Sequence, residues 1–257
     1  QTMDEMKHLD LESKNGKTPG GYNYPLYEIG VPFIFMNSVG SAHDLVTMVH
    51  EGGHAIHSFL SRNLALTGFK NLPSEVAELA SMSMELLSME KWNHFYTDED
   101  DFKRAKKEQL ESIIKILPWI AQVDEFQHWL YVNFNHTIEE RTAKWIALGK
   151  EYGTGLTDWT GFENVVATSW QRQLHIFEVP FYYIEYGIAQ LGAIGMWMQY
   201  QKDPKQALEN YMNALALGGT KTLPELYQTA GLEFNFSPAY VKNLMEFTNQ
   251  ELEKLYH

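Results

Sequence analysis

Hydrophobic residues recur at spacings of three, four and seven between residues 44 and 62, which is the pattern of one face of an α-helix. This stripe comprises Leu45, Val49, Ile56, Phe59 and Leu60. Just before it, Ser41 and Asp44 have the spacing of a capping box, in which two side chains bond the free backbone amides at a helix start. The pattern therefore predicts a helix of about five turns over residues 44–62.

Further helical stretches follow along the chain. Residues 74–91 form a predicted helix with Ser74 as its N-cap. Helical periodicity then extends over residues 99–152, where Pro118 should kink or split it, and ends at the loop Gly153-Thr154-Gly155. The last third of the chain is expected to contain short helices with tight connections. Their starts and stops are indicated by Asp203-Pro204, Gly218-Gly219 and Ser237-Pro238.

Residues 1–40 differ from the rest because glycines and prolines alternate there with the β-forming stretches YNYPLY and VPFIFMN. This composition predicts loops and short strands. The predicted fold class is therefore mainly α, with a small β element near the N-terminus. We expect a single domain with two regions, residues 1–40 and a helical region of residues 41–257.

The overall composition indicates a folded chain and disfavours several partners. Hydrophobic residues make up 44% of the 257 positions and aromatic residues 14%, which argues against disorder. The formal net charge of −13 disfavours nucleic acid and anionic membranes, since both are negatively charged. The sequence contains no secretion signal and no run of 18 apolar residues, so we predict a cytoplasmic location.

The absence of cysteine restricts possible metal ligands to His, Asp and Glu side chains. Within the first predicted helix stands His50-Glu51-Gly52-Gly53-His54. Residues at i and i+4 lie on the same helix face, so His50 and His54 can bind one metal ion while Glu51 lies beside it. This spacing is typical of zinc peptidases, in which the glutamate acts as a general base.

A catalytic zinc site needs a third protein ligand, and the second predicted helix offers Glu75, Glu78 and Glu85. Glu78 and Glu85 share a face at a spacing of seven, so one can bind the metal while the other hydrogen bonds a ligand histidine. Small and apolar residues surround Glu78, a costly setting for an unpaired carboxylate, and this favours Glu78 as the ligand. For Glu75, a solvated position is an equal alternative.

Taken together, these residues resemble the oligoendopeptidase F and thimet oligopeptidase family of zinc peptidases. HEGGHAIH matches the family motif HExGHxxH, and Glu78 follows in SEVAELAS, close to the family segment E-V-A/P-S with Leu in place of Val. The resemblance implies a zincin-like helical catalytic domain that holds one Zn²⁺ ion on His50, His54 and Glu78. It also implies Glu51 as the general base and Glu85 as the residue that orients a ligand histidine.

Two more segments extend this resemblance. GKTPGGY and PFIFMN are similar to the family's glycine-rich hairpin before the metal helix, which would place a strand edge along the substrate at Gly20, Gly21 and Tyr22. LHIFEVPFYYIEYGIAQLGA resembles the family's histidine followed by clustered tyrosines. The groups that this segment implies for stabilising an oxyanion are His175, Tyr183 and Tyr186, with Tyr182 as the alternative for either tyrosine and otherwise as a substrate contact.

The remaining histidines are interpreted differently. His57 is rotated from His54 by about 60° around the helix, so we interpret it as a structural residue or as one that hydrogen bonds a ligand. The others have no partner at ligand spacing and are interpreted as ordinary surface or core residues: His8, His43, His94, His128, His136 and His257.

The lead hypothesis is a zinc-dependent endopeptidase that cleaves short peptides, since the family's channel admits only an extended chain. Members of the family are much longer, and the start at Gln1 within a polar segment also indicates a piece of a longer protein. The missing N-terminal helical half is therefore an expected partner. One alternative is a metallocarboxypeptidase with the same ligands, in which Arg172 would bind the substrate carboxylate. Another is a catalytically incomplete helical zinc-binding module.

Overall fold

The helices and strands form two units in the structure, a computed structural model that describes residues 1–256. The first unit consists of Gln1–Gln109 and Ala189–His257, and the second of Leu110–Ile188; His257 lies outside the described residues. The chain is mainly helical with one small sheet, which confirms the predicted fold class. Within the described part, no helix combines the length and the apolar character that a membrane span requires.

The glycine- and proline-rich segment folds into a short helix and a three-stranded sheet. These elements are α1 (Thr2–Glu5), β1 (Leu9–Glu12), β2 (Tyr22–Tyr24) and β3 (Phe33–Ser38). β3 lies between the other two strands, parallel to β1 and antiparallel to β2. The Nζ of Lys17 joins the strands, because it donates to the carbonyls of Asp10, Glu12 and Met36 at 2.7–3.2 Å. β2 and β3 lie in the predicted β-forming stretches, whereas β1 was not expected. The domain boundary at residue 40 stays a prediction.

The two predicted helices that carry the candidate ligands are α2 (Ala42–Ser61) and α3 (Ser74–Ser88). α2 begins as predicted, since the carboxylate of Asp44 accepts from the backbone N–H of Ser41 at 2.8 Å. The N-cap of α3 is Pro73, so the assignment of Ser74 as the cap is wrong. α3 also ends at Ser88 rather than at residue 91, because the chain tightens there into a 3₁₀ turn.

The long periodic stretch forms two helices. These are α4 (Glu99–Val132) and α5 (Ile138–Tyr152). Pro118 lies inside α4 and does not split it. Ile113 and Ile120, on either side of the proline, are both buried, and such packing outweighs the loss of one backbone hydrogen bond. The break comes instead before Thr137, whose hydroxyl caps α5 by accepting from the backbone N–H of Glu140.

The remaining helices follow the predicted loop at residues 153–155. They are α6 (Glu163–Thr168), α7 (His175–Glu178), α8 (Ile184–Lys202), α9 (Pro204–Ala216), α10 (Leu223–Thr229) and α11 (Pro238–Glu253). Asp203 and Ser237 cap α9 and α11 as predicted, and Gly218 follows α9 with a positive φ of 52°. The expectation of short helices is wrong for α8 and α11, which have 19 and 16 residues. In α8, burial outweighs the low helix propensity of its glycines, as at Gly192 against Tyr227.

An aromatic core holds the second unit together. Trp145 is 1% exposed and contacts Phe126 and Trp119 edge-on, with ring centroids 5.0 and 5.5 Å apart. Ile176 and Tyr183 are buried in the same cluster. The segment between α7 and α8 is therefore packed against this core, which restricts the positions of the side chains that it carries.

Candidate metal centre

His50 and His54 lie one turn apart on α2, with nearly perpendicular rings whose centroids are 5.0 Å apart. The carboxylate of Glu78 on α3 faces both rings: its Oε2 lies 3.3 Å from Nε2 of His50 and 3.9 Å from Nε2 of His54. One ligand atom from each of the three residues lies within 4.8 Å of the others. Over residues 1–256, this is the one group of three such side chains able to hold a metal ion.

Close packing of α2 against α3 makes this meeting possible. A Cβ at Gly53 would lie 2.6 Å from the Cα of Ser81 and 2.8 Å from the carbonyl oxygen of Ala80. Because real Cβ atoms do not approach other atoms so closely, only glycine permits this separation. Ser81 in turn donates its hydroxyl to Oε2 of Glu78 at 3.1 Å. The second glycine of the HEGGH motif therefore sets the distance between the two helices that carry the candidate ligands.

The other ring nitrogen of His50 is held by Glu85 on α3. Oε1 of Glu85 lies 2.6 Å from Nδ1 of His50, and its Oε2 accepts from Nε2 of Gln109 at 2.6 Å. A histidine whose Nδ1–H donates to a carboxylate presents Nε2 to a metal. The spacing of seven between Glu78 and Glu85 predicts Glu85 beside a ligand histidine, but no sequence pattern indicates Gln109. Gln109 lies on α4, 24 residues from Glu85, and no spacing rule links residues on separate helices.

The electrostatics of these residues suit a cation. Burial lowers the pKa of His50, but hydrogen bonds to Glu78 and Glu85 raise it overall to about 10. Burial raises the pKa of Glu78, but the bond to His50 lowers it overall. Burial lowers the pKa of His54 to about 4. The carboxylates that raise the pKa of His50 would also attract a divalent cation bound by the same residues.

Glu51 lies beside the candidate ligands but outside their group. Its side chain is 6% exposed, and its Oε2 has no hydrogen-bond partner among residues 1–256. Burial raises the pKa of Glu51 to about 7, against the lowering effects of His50 and of the Asn23 backbone amide. A carboxyl group with a pKa near neutrality can both take up and release a proton, as general acid–base chemistry requires.

Two further residues of these helices lie outside the ligand group. His57 is 2% exposed and hydrogen bonds the backbone of Leu215. Burial lowers the pKa of His57 to about 3, so its ring is neutral. Glu75 accepts a hydrogen bond from the hydroxyl of Tyr227 through its backbone carbonyl, at 3.3 Å. The hydrogen bond of His57 is therefore to the backbone of Leu215 and not to a ligand histidine.

The glycine pair and tyrosine of the predicted substrate edge lie at the start of β2. Gly20 has a positive φ of 107°, which favours glycine. A Cβ at Gly21 would lie 3.2 Å from Cγ2 of Thr47 and 3.5 Å from Oε1 of Glu51. Tyr22 stacks on Phe35 with ring centroids 4.9 Å apart and is 49% exposed. β2 is an outer strand of the sheet, and Gly21 brings its backbone close to the Glu51 carboxylate.

His175 and three tyrosines form a cluster of rings in the second unit. The rings of Tyr182, Tyr183 and Tyr186 have centroids 5.1–5.9 Å from that of His175. The hydroxyl of Tyr186 lies 3.5 Å from Nε2 of His175. Burial raises the pKa of Tyr183, so that its hydroxyl remains protonated at neutral pH. The structure thus groups the four side chains that the resemblance associates with an oxyanion.

Comparison of the sequence with known proteins shows which family it matches. Residues 2–246 match the sequence model of peptidase family M3. Oligopeptidase PepF of Bacillus subtilis is 25% identical over 98% of the chain, and the match covers 37% of that protein. The oligoendopeptidase F homolog of Borreliella burgdorferi is 25% identical over 96% of the chain, and here the match covers 42% of the relative.

A solved structure gives the same result for the fold. The structure described as PZ peptidase A with inhibitor 2 is similar with a TM-score of 0.89 and 32% sequence identity, over 98% of this chain and 45% of that one. The chain spans about two fifths of the length of the curated relatives it matches and corresponds to their C-terminal part. Its sequence and its fold both show that the chain belongs to peptidase family M3.

Proposed function

We propose that this chain carries the catalytic centre of a zinc-dependent oligopeptidase, which hydrolyses internal bonds of short peptides. The observation that carries the proposal is the meeting of His50, His54 and Glu78 in a chain of peptidase family M3. The names of the relatives, oligopeptidase and oligoendopeptidase, support short peptides as the substrate class.

Zinc suits both the donor set and its spacing. Two imidazole nitrogens and one carboxylate oxygen are typical ligands of catalytic zinc. Tetrahedral zinc with bonds of about 2.0–2.1 Å places neighbouring ligand atoms about 3.3 Å apart. Oε2 of Glu78 lies 3.3 Å from Nε2 of His50 and 3.9 Å from Nε2 of His54. The residues present therefore fit one zinc ion per chain.

The side chains around the ligands have distinct roles in this proposal. A bound zinc ion would supply Lewis acidity, which polarises a substrate carbonyl and acidifies a water molecule. The Oε2 of Glu51, which has no hydrogen-bond partner, can accept a proton from the attacking water. Because its pKa is raised to about 7, Glu51 can then return that proton to the leaving amine. Glu85, itself bonded to Gln109, orients His50 so that its Nε2 would face a bound ion.

Stabilisation of the oxyanion is assigned in this proposal to His175, Tyr183 and Tyr186, whose N–H and O–H groups can donate to developing charge. Tyr182 is the alternative for either tyrosine. Removing one donor of this kind costs about 3 kcal/mol of barrier in other enzymes. Single Tyr→Phe variants therefore identify the donors, since turnover should fall by roughly a hundredfold at a donor while zinc content stays the same.

The proposal also includes the substrate edge and a partner. An extended peptide can add to an outer strand through backbone hydrogen bonds, and such an edge is proposed at Gly20 and Gly21, which lead into β2, and at Tyr22, its first residue. The relatives extend beyond the matched part, and an N-terminal helical half is proposed as the partner that completes the substrate channel. A cytoplasmic location belongs to the same proposal, and cell fractionation tests it.

Elemental analysis of the purified chain tests the metal centre. We expect about one zinc per chain, lost in His50→Ala and in Glu78→Ala but retained in Glu51→Gln. Hydrolysis of a quenched peptide is then measured with and without the added N-terminal half, and Glu51→Gln should abolish it. Zinc that persists in Glu78→Ala would overturn the ligand set.

Two other experimental results would indicate a function different from the proposed one. A peptide with a free C-terminus that is cleaved far better than its amidated form would indicate a carboxypeptidase. In that case Arg172, whose guanidinium lies over the ring of Trp119 at 4.8 Å, would be tested as the carboxylate anchor. Retained zinc without hydrolysis in any preparation would indicate a zinc-binding module instead.

A further inference from the structure

We propose that Trp119 and Gln173 hold His175 as a neutral imidazole with its proton on Nε2, which makes His175 a hydrogen-bond donor rather than a proton acceptor. The meaning of this arrangement for catalysis rests on the proposed function. The arrangement itself rests on three side chains of the second unit. Gln173 and Trp119 are positioning residues in this view, since both act through His175.

The indole of Trp119 can only donate a hydrogen bond, through its Nε1–H. Its Nε1 lies 3.2 Å from Oε1 of Gln173. If the amide of Gln173 were reversed, two donors would face each other at this distance. The carbonyl oxygen of Gln173 is therefore fixed toward Trp119, and its NH₂ group is fixed toward the opposite side.

The opposite side of the Gln173 amide is occupied by the imidazole. Nε2 of Gln173 lies 2.6 Å from Nδ1 of His175. Because an amide NH₂ can only donate, Nδ1 must accept, so it carries no proton. A neutral imidazole with a bare Nδ1 has its proton on Nε2. The hydroxyl of Tyr186, 3.5 Å from Nε2, lies on the side to which this proton points.

The indole at the start of this series is itself held in place. The ring of Trp145 meets the ring of Trp119 edge-on, with centroids 5.5 Å apart, and the guanidinium of Arg172 lies over it at 4.8 Å. Gln173 follows Arg172 directly in the chain. The backbone carbonyl of Gln173 accepts a hydrogen bond from the backbone N–H of Ile176 at 3.1 Å. These ring contacts hold the indole whose N–H orients the amide of Gln173.

Protonation of His175 would break this series of bonds. An imidazolium carries a second N–H at Nδ1, which would face the NH₂ group of Gln173 as donor against donor. Burial also lowers the pKa of His175, while the nearby carboxylate of Glu178 raises it. The side chains whose rings face the imidazole are those of Tyr182 and Tyr183, just before α8, and of Tyr186 on α8, and tyrosines are neutral at ordinary pH. The ring therefore stays neutral and keeps Nε2–H as a donor suited to an oxyanion.

A carboxylate at position 173 gives the sharpest test. In Gln173→Glu, the new side chain accepts from Trp119 and also from Nδ1–H of His175, so the proton moves from Nε2 to Nδ1. Hydrogen bonding would be retained, but the donor would be lost from Nε2. A purely structural role for Gln173 predicts no such change. Gln171→Glu is the matched control, since Gln171 is exposed and the substitution adds the same charge two residues away.

The tautomer is read directly from ¹⁵N NMR correlations of the imidazole in the whole chain, with the His175 signals assigned from their loss in His175→Gln. We expect Nε2–H in the wild type and in Gln171→Glu, and Nδ1–H with a raised pKa in Gln173→Glu. Gln173→Leu, which removes both bonds, should show a mixture of the tautomers and serves if the glutamate variant does not fold. Nδ1–H in the wild type, or an unchanged tautomer in both Gln173 variants, would overturn the inference.

Peptide hydrolysis separates this inference from the proposed function. Where hydrolysis is measurable, Gln173→Glu should lower kcat by roughly a hundredfold with little change in KM, because the donor acts only on the transition state. Zinc content should not change. If no preparation hydrolyses peptide, the proposed function fails, while the NMR result still decides the tautomer. An unchanged kcat together with the shifted tautomer would overturn the catalytic meaning of His175 as a donor.

Discussion

Gly53 on α2 lies directly against Ser81 on α3, with room for a hydrogen atom but not for a methyl group. This contact brings the helix with His50 and His54 close enough for Glu78 to face both rings. Gly52, one residue earlier in the same motif, has open space where its Cβ would lie. The two glycines therefore differ in their packing role although they are adjacent in the sequence.

We expect Gly53→Ala to reduce zinc binding and to destabilise the fold, because the added methyl group must push α2 away from α3. Overpacking of this kind typically costs about 1–3 kcal/mol of the free energy of unfolding. Gly52→Ala is the control and should bind zinc normally, with a gain of up to about 1 kcal/mol from the higher helix propensity of alanine. Zinc titration and urea unfolding measure both effects. Equal zinc affinity in the two variants would contradict this account.

Loss of the Glu85 carboxylate should weaken metal binding while the ligands remain intact. In Glu85→Gln, the charge that holds Nδ1–H of His50 disappears, so the ring is oriented less firmly. Changes of this kind typically lower metal affinity about 10–100-fold. Competition with a chelator of known affinity measures the change. Glu99→Gln removes an equal charge from a side chain that is 79% exposed and should leave the affinity unaltered.

Metal removal should lower the stability of the first unit, since the three ligands come from two different helices. A ligand present at about a thousand times its Kd stabilises a folded state by about 4 kcal/mol. Thermal unfolding with zinc or with excess chelator measures this difference in the wild type. In His54→Ala, zinc should no longer raise the melting temperature, and a rise equal to that of the wild type would argue against His54 as a ligand.

The cap of α2 should make stability depend on acid pH. Slight desolvation raises the pKa of Asp44, but bonds from three backbone amides lower it overall to about 2, against 3.8 for the free side chain. Because the folded-state pKa is the lower one, the stabilisation is complete above pH 4 and is lost as the pH falls toward 2. Asp44→Asn should cost about 1 kcal/mol at neutral pH. Urea unfolding at several pH values should show this difference shrinking in acid, and a constant difference would contradict the role of the charge.

Gln127 should stabilise the segment between His175 and the tyrosines. Its side chain is 1% exposed, accepts the backbone N–H of Phe181 at 3.0 Å and donates to the carbonyl of Ile176 at 3.4 Å. Phe181 has a positive φ of 61°, a conformation that costs a non-glycine residue about 1–2 kcal/mol and therefore needs support. Gln127→Met should cost about 1–3 kcal/mol of unfolding free energy, because it removes the side-chain partner of both backbone groups. Gln201→Met, at an exposed position, is the control.

Local features of the fold were predictable because they depend only on neighbouring residues. The caps of α9 and α11 are made within three residues of Asp203 and Ser237, so the sequence indicates them directly. Pro118 was misleading for the converse reason. Its effect on α4 depends on what the helix packs against, and buried residues on both sides keep the helix continuous.

For the candidate site, the shared face of His50 and His54 follows from the sequence alone, since the helical repeat imposes it on any residues four apart. It also indicated Glu78 and Glu85, which share a face of the next helix. Which atoms meet depends on the folded arrangement: Gly53 lets α2 approach α3, Gln109 reaches Glu85, and the amide of Gln173 faces Nδ1 of His175. These contacts arise from the packing of separate segments, and no interval along the chain prescribes how two side chains will be oriented when they meet.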